Sequence, residues 1–369
     1  MILTVTPNPS LDRTYEVPAL ERGAVLRAAG ERTDPGGKGV NVSRAVAAAG
    51  HRTVAVVPLG GAPGALLAEL LAGQGIEVAS VPLKGHTRSN IAVAEPDGTL
   101  TKINAPGPEL TPAESEAILS AVGAYSPAAD WVACGGSLPR GLAPEWYADL
   151  VTRAHGYGAR VALDTSGPSL PAALRGRPDV VKPNAEELAE AVGRPLATLG
   201  DAVKAAEELR AAGAGAVLAS LGADGQLLVC AEGTWYGYAA VDTVRSNVGA
   251  GDASLAGFLA AGGEGPQALA AAVAHGAAAV RLPGSEMPTP ADLDPAAVTV
   301  TADVPLDRVL GASAPYGDGT ETGGASRTGR IGESSESAGG THSTHSTHST
   351  DSTDSTDSSE SSKRGSRVR

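Results

Sequence analysis

Aromatic side chains are scarce in this 369-residue chain: one Phe, three Trp and seven Tyr, 3% in all. A core of any size must therefore be aliphatic, and 42% hydrophobic content suffices to bury one in a single large domain or two. Cysteine is scarcer still. Cys134 and Cys230 are the two present; they exclude a disulfide framework and fit a reducing cytoplasm, the expected location. The opening MILTVTPNPSLD has neither a basic n-region nor an apolar h-region, so no signal peptide is expected. No run of about 18 apolar residues occurs, which argues against a membrane span. The formal net charge is −13 and no basic stripe stands against it, so neither nucleic acid nor a membrane is an expected partner.

What the chain does have is alternation. Ile2–Val5 reads as a buried strand closed by Pro7, Asn8 and Pro9. A helix follows Pro35-Gly36-Gly37-Lys38-Gly39-Val40-Asn41, with Val42, Val46 and Ala49 on its apolar face and Gly50 at its end. Strands at 53–57, 78–81, 131–134, 161–163, 180–181 and 216–220 then alternate with helices at 65–71, 112–123, 144–155, 185–191 and 201–212. A β-rich patch at 226–244 precedes a helix at 253–261 and a last one at 266–281. This order predicts an α/β fold with a doubly wound, mostly parallel sheet, whose ligands bind past the C-terminal ends of the strands. Two extended regions break the alternation. Residues 13–34, with strands expected at 15–17 and 25–27, and residues 85–105, with a hairpin around Pro96-Asp97-Gly98, predict a small antiparallel lid. The expected folded domain is 1–312. Residues 313–369 are mostly Gly, Ser, Thr, Asp and Glu and predict a disordered low-complexity tail, with His342, His345 and His348 in its repeats.

Chemistry concentrates at a few glycine-rich places. Val248-Gly249-Ala250-Gly251-Asp252 leads into a helix, so backbone N–H groups and the positive end of the helix dipole can hold an anion. A carboxylate at that point, Asp252, suits taking a proton from a hydroxyl while a phosphoryl group is held in transfer; a plain glycine-rich helix start is the alternative. Gly36-Gly37-Lys38-Gly39 is not a P-loop, because Arg32 stands where the first glycine is required and Gly39 replaces the Ser/Thr. Gly249-x-Gly251 is not a dinucleotide fingerprint, because Ser254 stands at the third glycine. Asn41 and Asp12 remain as partners for a polyol's hydroxyls. Asn184 and Glu187, three apart, can hold Mg²⁺ through water or simply cap a helix. Ser220 to Gly225 is a tight turn or a clamp on nucleotide phosphates.

Taken together the pattern is specific. Gly-Gly-Lys-Gly-Val-Asn (36–41), Gly-Ser-Leu-Pro (136–139), Lys-Pro-Asn-x-x-Glu (182–187), Ser-Leu-Gly-x-x-Gly (220–225) and Gly-Ala-Gly-Asp (249–252) stand in the order of the ribokinase-like, phosphofructokinase B type carbohydrate kinases. The chain resembles that family from residue 1 to about 300. Thr-x-Asn-Pro-x-x-Asp (6–12) and Thr-Arg-x-Asn (87–90) make it most similar to the phosphofructokinase branch. The resemblance implies a catalytic base at Asp252 and an anion hole at Gly249, Ala250 and Gly251. It implies that Asp12, Gly37, Lys38, Asn41, Arg88, Asn90 and Ser137 face the sugar phosphate. Lys182, Asn184, Ser220, Gly222, Gly225 and Asn247 would line ATP, with Glu187 near Mg²⁺. Asn247 and Ala253 depart from the family's usual Thr or Ser and Ser at these places. Arg140, which follows Ser-Leu-Pro, is an extra candidate phosphate ligand. The implied reaction is ATP- and Mg²⁺-dependent phosphorylation of fructose 1-phosphate, with fructose 6-phosphate or tagatose 6-phosphate as alternative acceptors and a silent sugar-phosphate sensor as the alternative of another class. The implied partner is a second copy, a homodimer through the lid.

Overall fold

The computed structural model describes residues 1–311; the expected tail and its histidines lie outside them. In chain order the strands are β1 (Ile2–Val5), β2 (Ser10–Glu16), β3 (Gly30–Gly36), β4 (Thr53–Leu59), β5 (Glu77–Pro82), β6 (Arg88–Ala94) and β7 (Leu100–Ile103). They continue with β8 (Trp131–Gly135), β9 (Arg160–Asp164), β10 (Val180–Val181), β11 (Ala216–Ser220), β12 (Gln226–Cys230), β13 (Gly233–Ala239) and β14 (Val298–Thr301). The helices are α1 (Lys38–Ala48), α2 (Gly61–Gly73), α3 (Pro112–Tyr125), α4 (Trp146–Gly156), α5 (Ser169–Ala173), α6 (Ala185–Val192), α7 (Leu199–Ala212), α8 (Ala250–Ala260) and α9 (Gly265–Ala279). Among the described residues, no helix is long and apolar enough to cross a membrane.

Ten strands form the main sheet in the order β14-β13-β12-β11-β10-β9-β8-β1-β4-β5. From β11 to β5 every neighbouring pair is parallel, and β12, β13 and β14 extend the sheet antiparallel. The central strands are apolar on both faces, as a sheet covered on both sides requires. Leu3 and Val5 on β1 point into a core shared with α3, α4 and α7, while Ile2 points into one shared with α1, α8 and α9. The core is largely aliphatic, though Trp131, Tyr147, Tyr236 and Phe258 are among its largest buried side chains. This is the ribokinase-like α/β architecture. β14 was not expected from the sequence; its residues Val-Thr-Val-Thr lie within a proline- and aspartate-rich stretch, and pairing with β13 makes them a strand.

The second sheet has four strands in the order β3-β2-β6-β7 and stands over one end of the first. It differs from the expected antiparallel lid in one pairing: β2 and β6 run parallel. Each enters the lid directly after a strand of the parallel sheet, β2 after β1 and β6 after β5, so both leave in the same direction. The strand expected at 25–27 is also absent. Val25 is 87% exposed in a loop, and the polar run Gly30–Gly36 forms β3 instead because its backbone pairs with β2 along the whole length. Apolar content there misleads; backbone pairing decides.

Candidate active site

Two helices begin without a side-chain cap where the lid meets the main sheet. α3, α6 and α7 start with full capping boxes at Thr111/Glu114, Asn184/Glu187 and Thr198/Asp201. α1 and α8 start at Gly37 and Gly249, both at positive φ (116° and 80°), and neither has a side chain on its first amides. Those N–H groups have no acceptor within the helix, and the positive ends of two dipoles stand behind them. α8 starts at Ala250, earlier than the expected Ala253, so Gly251 and Asp252 lie in its first turn. A Cβ on Gly249 would meet Met287 Cε at 3.0 Å, and one on Gly251 would meet Lys182 Nζ at 3.2 Å. The lysine therefore stands directly beside the uncapped turn.

The ionisable groups around that turn form one connected set. Asn41, on α1, donates from Nδ2 to Asp252 Oδ2 at 2.8 Å. Lys182 Nζ lies 2.8 Å from Asp164 Oδ2, and Lys38 Nζ bonds both Asp164 Oδ1 and, at 3.2 Å, Glu187 Oε1. Burial pushes the Asp252 carboxyl up, and the Asp164 charge pushes the same way, to about 6 against the opposing pull of Lys182, Asn41 and Lys38. Asp164 behaves oppositely. Burial would raise it, but Lys182 and Lys38 hold it below the ordinary carboxylate range. Burial pulls Lys38 down, yet Asp164 and Glu187 keep its ammonium charged well above the usual lysine value. The two carboxylates nearest the uncapped turn thus differ in proton affinity for a physical reason: Asp164 is paired directly with both lysines, whereas Asp252 is bonded to an amide, faces the Asp164 charge and feels the lysines only through space.

Glu187 serves two readings with the same atoms. Its Oε2 accepts from the Asn184 N–H at 2.9 Å and Asn184 Oδ1 accepts from the Glu187 N–H at 2.8 Å, which closes the cap. Its Oε1 faces Lys38. Among the described residues, no three His, Cys, Asp or Glu side chains gather into a metal cage. Mg²⁺ needs none: it keeps its waters and binds through one or two carboxylates together with substrate phosphates. Asp164 and Glu187, drawn to one lysine, fit that donor set.

The lid supplies the second half. Asp12 on β2 and Asn90 on β6 are register partners, and Asn90 Nδ2 donates to Asp12 Oδ1 at 2.9 Å. Ser10 Oγ donates to the same oxygen at 2.7 Å. Gly36 faces them across β3, and a Cβ there would fall 2.2 Å from Asp12 Oδ2. Arg88 donates from Nη2 to the Asn8 carbonyl and from Nη1 to the Ala105 carbonyl, both at 2.9 Å, while its Nε is buried without a partner. Burial draws its pKa down against the pull of Asp12. Ser137 Oγ accepts from Asn8 Nδ2 at 3.2 Å. Arg140 is exposed, its Nη2 reaching the Gly107 carbonyl at 3.4 Å. On the other side, Ser220 forms a parallel bridge with Asn184, Gly222 (φ 62°) is exposed, and Gly225 (φ 92°) turns the chain into β12. Asn247 lies exposed in the segment before α8.

Comparison with known proteins places this geometry. The sequence profile of the pfkB family carbohydrate kinases matches residues 6–292. The chain belongs to that family. A 1-phosphofructokinase of Rhodobacter capsulatus is 40% identical over 305 residues, covering 81% of this chain and 96% of the relative. The crystal structure of phosphofructokinase-2 from Escherichia coli in complex with fructose-6-phosphate is similar at TM-score 0.71 and 33% identity, covering 77% of this chain and 95% of that one. An Arabidopsis thaliana ribokinase structure shares the fold at TM-score 0.63 and 24% identity, over 78% of this chain and 95% of that one.

PfkB kinases use ATP and a divalent metal. Of the sequence-derived candidates, direct contacts join Asn41 to Asp252, Lys38 to Glu187, and Asp12 to Asn90. Lys38 was expected to face the sugar phosphate; here it is paired with two carboxylates. Lys182 was expected along the nucleotide; it is 5% exposed and packs between Asp164 and Gly251. Two residues escaped the sequence reading. Asp164 ends β9, and the rule that ligands sit beyond the carboxyl ends of parallel strands would have found it. Asn8 lies inside the Thr-x-Asn-Pro motif, 4% exposed, and joins β1 to Pro106 and Ser137 while its backbone receives Arg88.

Proposed function

We propose that this pfkB kinase transfers the γ-phosphoryl group of MgATP to fructose 1-phosphate, giving fructose 1,6-bisphosphate and ADP. The observation that carries the reading is Asp252: a buried carboxyl with a pKa near 6, in the first turn of an uncapped helix, aimed by Asn41. Above that pH it is ionised and able to accept the proton of an acceptor hydroxyl. The hydroxyl oxygen then bonds to the γ-phosphorus as the bond from phosphorus to the β–γ bridging oxygen breaks and ADP leaves. Gly249, Ala250 and Gly251 offer backbone donors to the phosphoryl oxygens, and Lys182 adds a charge from the side. Asp164 and Glu187 would hold a magnesium ion, which when bound would supply positive charge against the triphosphate. Asp12, Gly37, Asn41, Asn90 and Ser137 address the sugar's hydroxyls, Arg88 its phosphate. Asn184, Ser220, Gly222, Gly225 and Asn247 line the nucleotide.

The acceptor rests on the 40% identity to a protein named 1-phosphofructokinase, and the fructose-6-phosphate complex of a 33% identical neighbour supplies the rival. An ADP-release assay with fructose 1-phosphate, fructose 6-phosphate, tagatose 6-phosphate and fructose decides between them. The highest kcat/KM is expected on fructose 1-phosphate. A preference for either 6-phosphate transfers the reading to that acceptor, and sugar-phosphate binding without ADP release makes the chain a sensor. For assembly, Ile91 (39% exposed) and Ile103 (61%), register partners across β6 and β7, give one face of the lid an exposed apolar pair that suits the proposed homodimer.

A further inference from the structure

The segment after β14 crosses the molecule as a strap. The Gly200 N–H donates to the Leu306 carbonyl, the Leu199 N–H to the Arg308 carbonyl and the Leu310 N–H to the Ala197 carbonyl, each at 2.9 Å. Val309 forms an antiparallel bridge with Thr198, and Val304 and Leu310 pack against the core. The strap ends on the β11–β12 turn. There Asp224, only 6% exposed, accepts from the Gly311 N–H at Oδ2 (2.7 Å) and from Arg308 Nη2 at Oδ1 (3.3 Å). Its carbonyl accepts from Tyr236 Oη at 2.7 Å, and the Arg308 guanidinium lies 5.9 Å from the Tyr236 ring centroid.

The turn is two-faced. Gly222 is exposed and its missing Cβ would point into open space, whereas Asp224, two residues on, points inward at the strap. Within the turn the restraints are backbone bonds: Leu221 N–H to the Gly225 carbonyl at 2.8 Å, and longer bonds of 3.2 Å from Asp224 to Leu221 and from Gly225 to Gly222. Two glycines at positive φ leave such a turn with many alternatives. A buried carboxylate fixed by a charged donor and an amide removes them.

We propose that the strap, residues 302–311, is a positioning element for the nucleotide, acting through Asp224 to hold the Gly222–Gly225 turn in its binding shape. This rests on the reading of that turn as part of the ATP site. Asp224→Ala deletes both contacts and leaves Arg308 and the Gly311 amide without their acceptor, so the KM for ATP should rise by roughly 3- to 30-fold, the range of couplings transmitted by residues that touch no ligand. The KM for the sugar phosphate should stay within about twofold, because Asp12, Asn90 and Arg88 are held by other bonds. Asp224→Asn keeps an acceptor for Gly311 and should recover part of the loss. Arg308→Ala, at a half-buried position, should raise the KM for ATP as well and serves if the Asp224 variants do not fold. Equal rises in both KM values, or an unchanged KM for ATP in Arg308→Ala and Asp224→Ala, would overturn the proposal. Titration of a fluorescent ATP analogue without sugar separates the two levels. An intact chain that binds the analogue as tightly as Asp224→Ala does removes the strap's role and leaves the kinase reading standing. An intact chain that binds none removes both.

Discussion

Asp252 holds its proton up to about pH 6 in the folded chain, against about 4 for an aspartate in an unfolded one. Its ionised form therefore opposes folding above pH 6, by roughly 3 kcal/mol, and this opposition fades as the pH falls from about 6 toward 4. Asp252→Asn has no charge to desolvate. Its Tm should exceed that of the parent at pH 7.5 and converge with it below pH 4, while kcat falls by about 10²–10⁴, the usual weight of a general base. More than a tenth of the parent kcat, or a lower Tm at pH 7.5, contradicts the assignment. The parent's kcat/KM should fall on an acid limb near pH 6, and that limb should vanish from the residual activity of the variant. Arg88 makes a different demand. Its Nη groups already hold the Asn8 and Ala105 carbonyls; with the proposed phosphate contact in addition, Arg88→Ala should cost about 10- to 200-fold in kcat/KM on the phosphorylated sugar. Unphosphorylated fructose should be little affected. Equal loss on both substrates would mean that the residue serves the two carbonyls and not a phosphate. Asp252 and Asn41 were legible because they sit in local motifs. Asp164 was not, since its two lysines come from 126 residues before it and from the next strand's end, and no local spacing announces that.

At the scale of elements, α1 and α8 are set apart from the other described helices by N-caps of positive φ. Thr111, Asn184 and Thr198 close their helices with side chains, whereas Gly37 and Gly249 leave theirs open. The glycine-rich turns before α1 and α8 are written in the sequence, although α2 also starts behind an uncapped glycine, Gly60, at φ −149°. The parallel strands were equally legible, because strands buried on both faces are short apolar runs. The lid was less so. β3 carries little but polar residues and exists through its pairing with β2; β14 does alternate, with Val298 and Val300 packed on the core, but its four residues lie among prolines and aspartates and are held by pairing with β13. The closeness of β3 to β2 gives a prediction. A methyl group on Gly36 would stand 2.2 Å from Asp12 Oδ2, so Gly36→Ala must push the carboxylate out of its bonds with Ser10 and Asn90. The KM for the sugar phosphate should rise more than tenfold, the equivalent of about 1.4 kcal/mol, with the KM for ATP unchanged. A parental KM for the sugar phosphate would show that Asp12 does not address it.

For the whole molecule, a parallel sheet gathers distant residues at one end. β1, β9, β10 and β11 end in Val5, Asp164, Val181 and Ser220, and Asn8, Lys182 and Gly222 follow the ends of β1, β10 and β11; Asn41 and Asp252, about two hundred positions apart, become bonded partners without any local signal. The sheet is closed at its far edge by β14 and then by the strap, whose last described residue, Gly311, is bonded to Asp224. The strap's bond to Asp224 thus ties the C-terminal side of the described fold to the proposed nucleotide turn. Residues 312–369, mostly Gly, Ser, Thr, Asp and Glu, have a composition that offers little apolar surface to bury against the fold. A chain ending at Gly311 should keep the Tm within about 2 °C, which for a protein of this size is about 1.3 kcal/mol, and should keep kcat/KM for both substrates. A chain ending at Thr301 should lose affinity for ATP before it loses affinity for the sugar phosphate. A clear fall in Tm on removal of residues 312–369 would place part of the fold's stability beyond Gly311, and the boundary drawn at the strap would move with it.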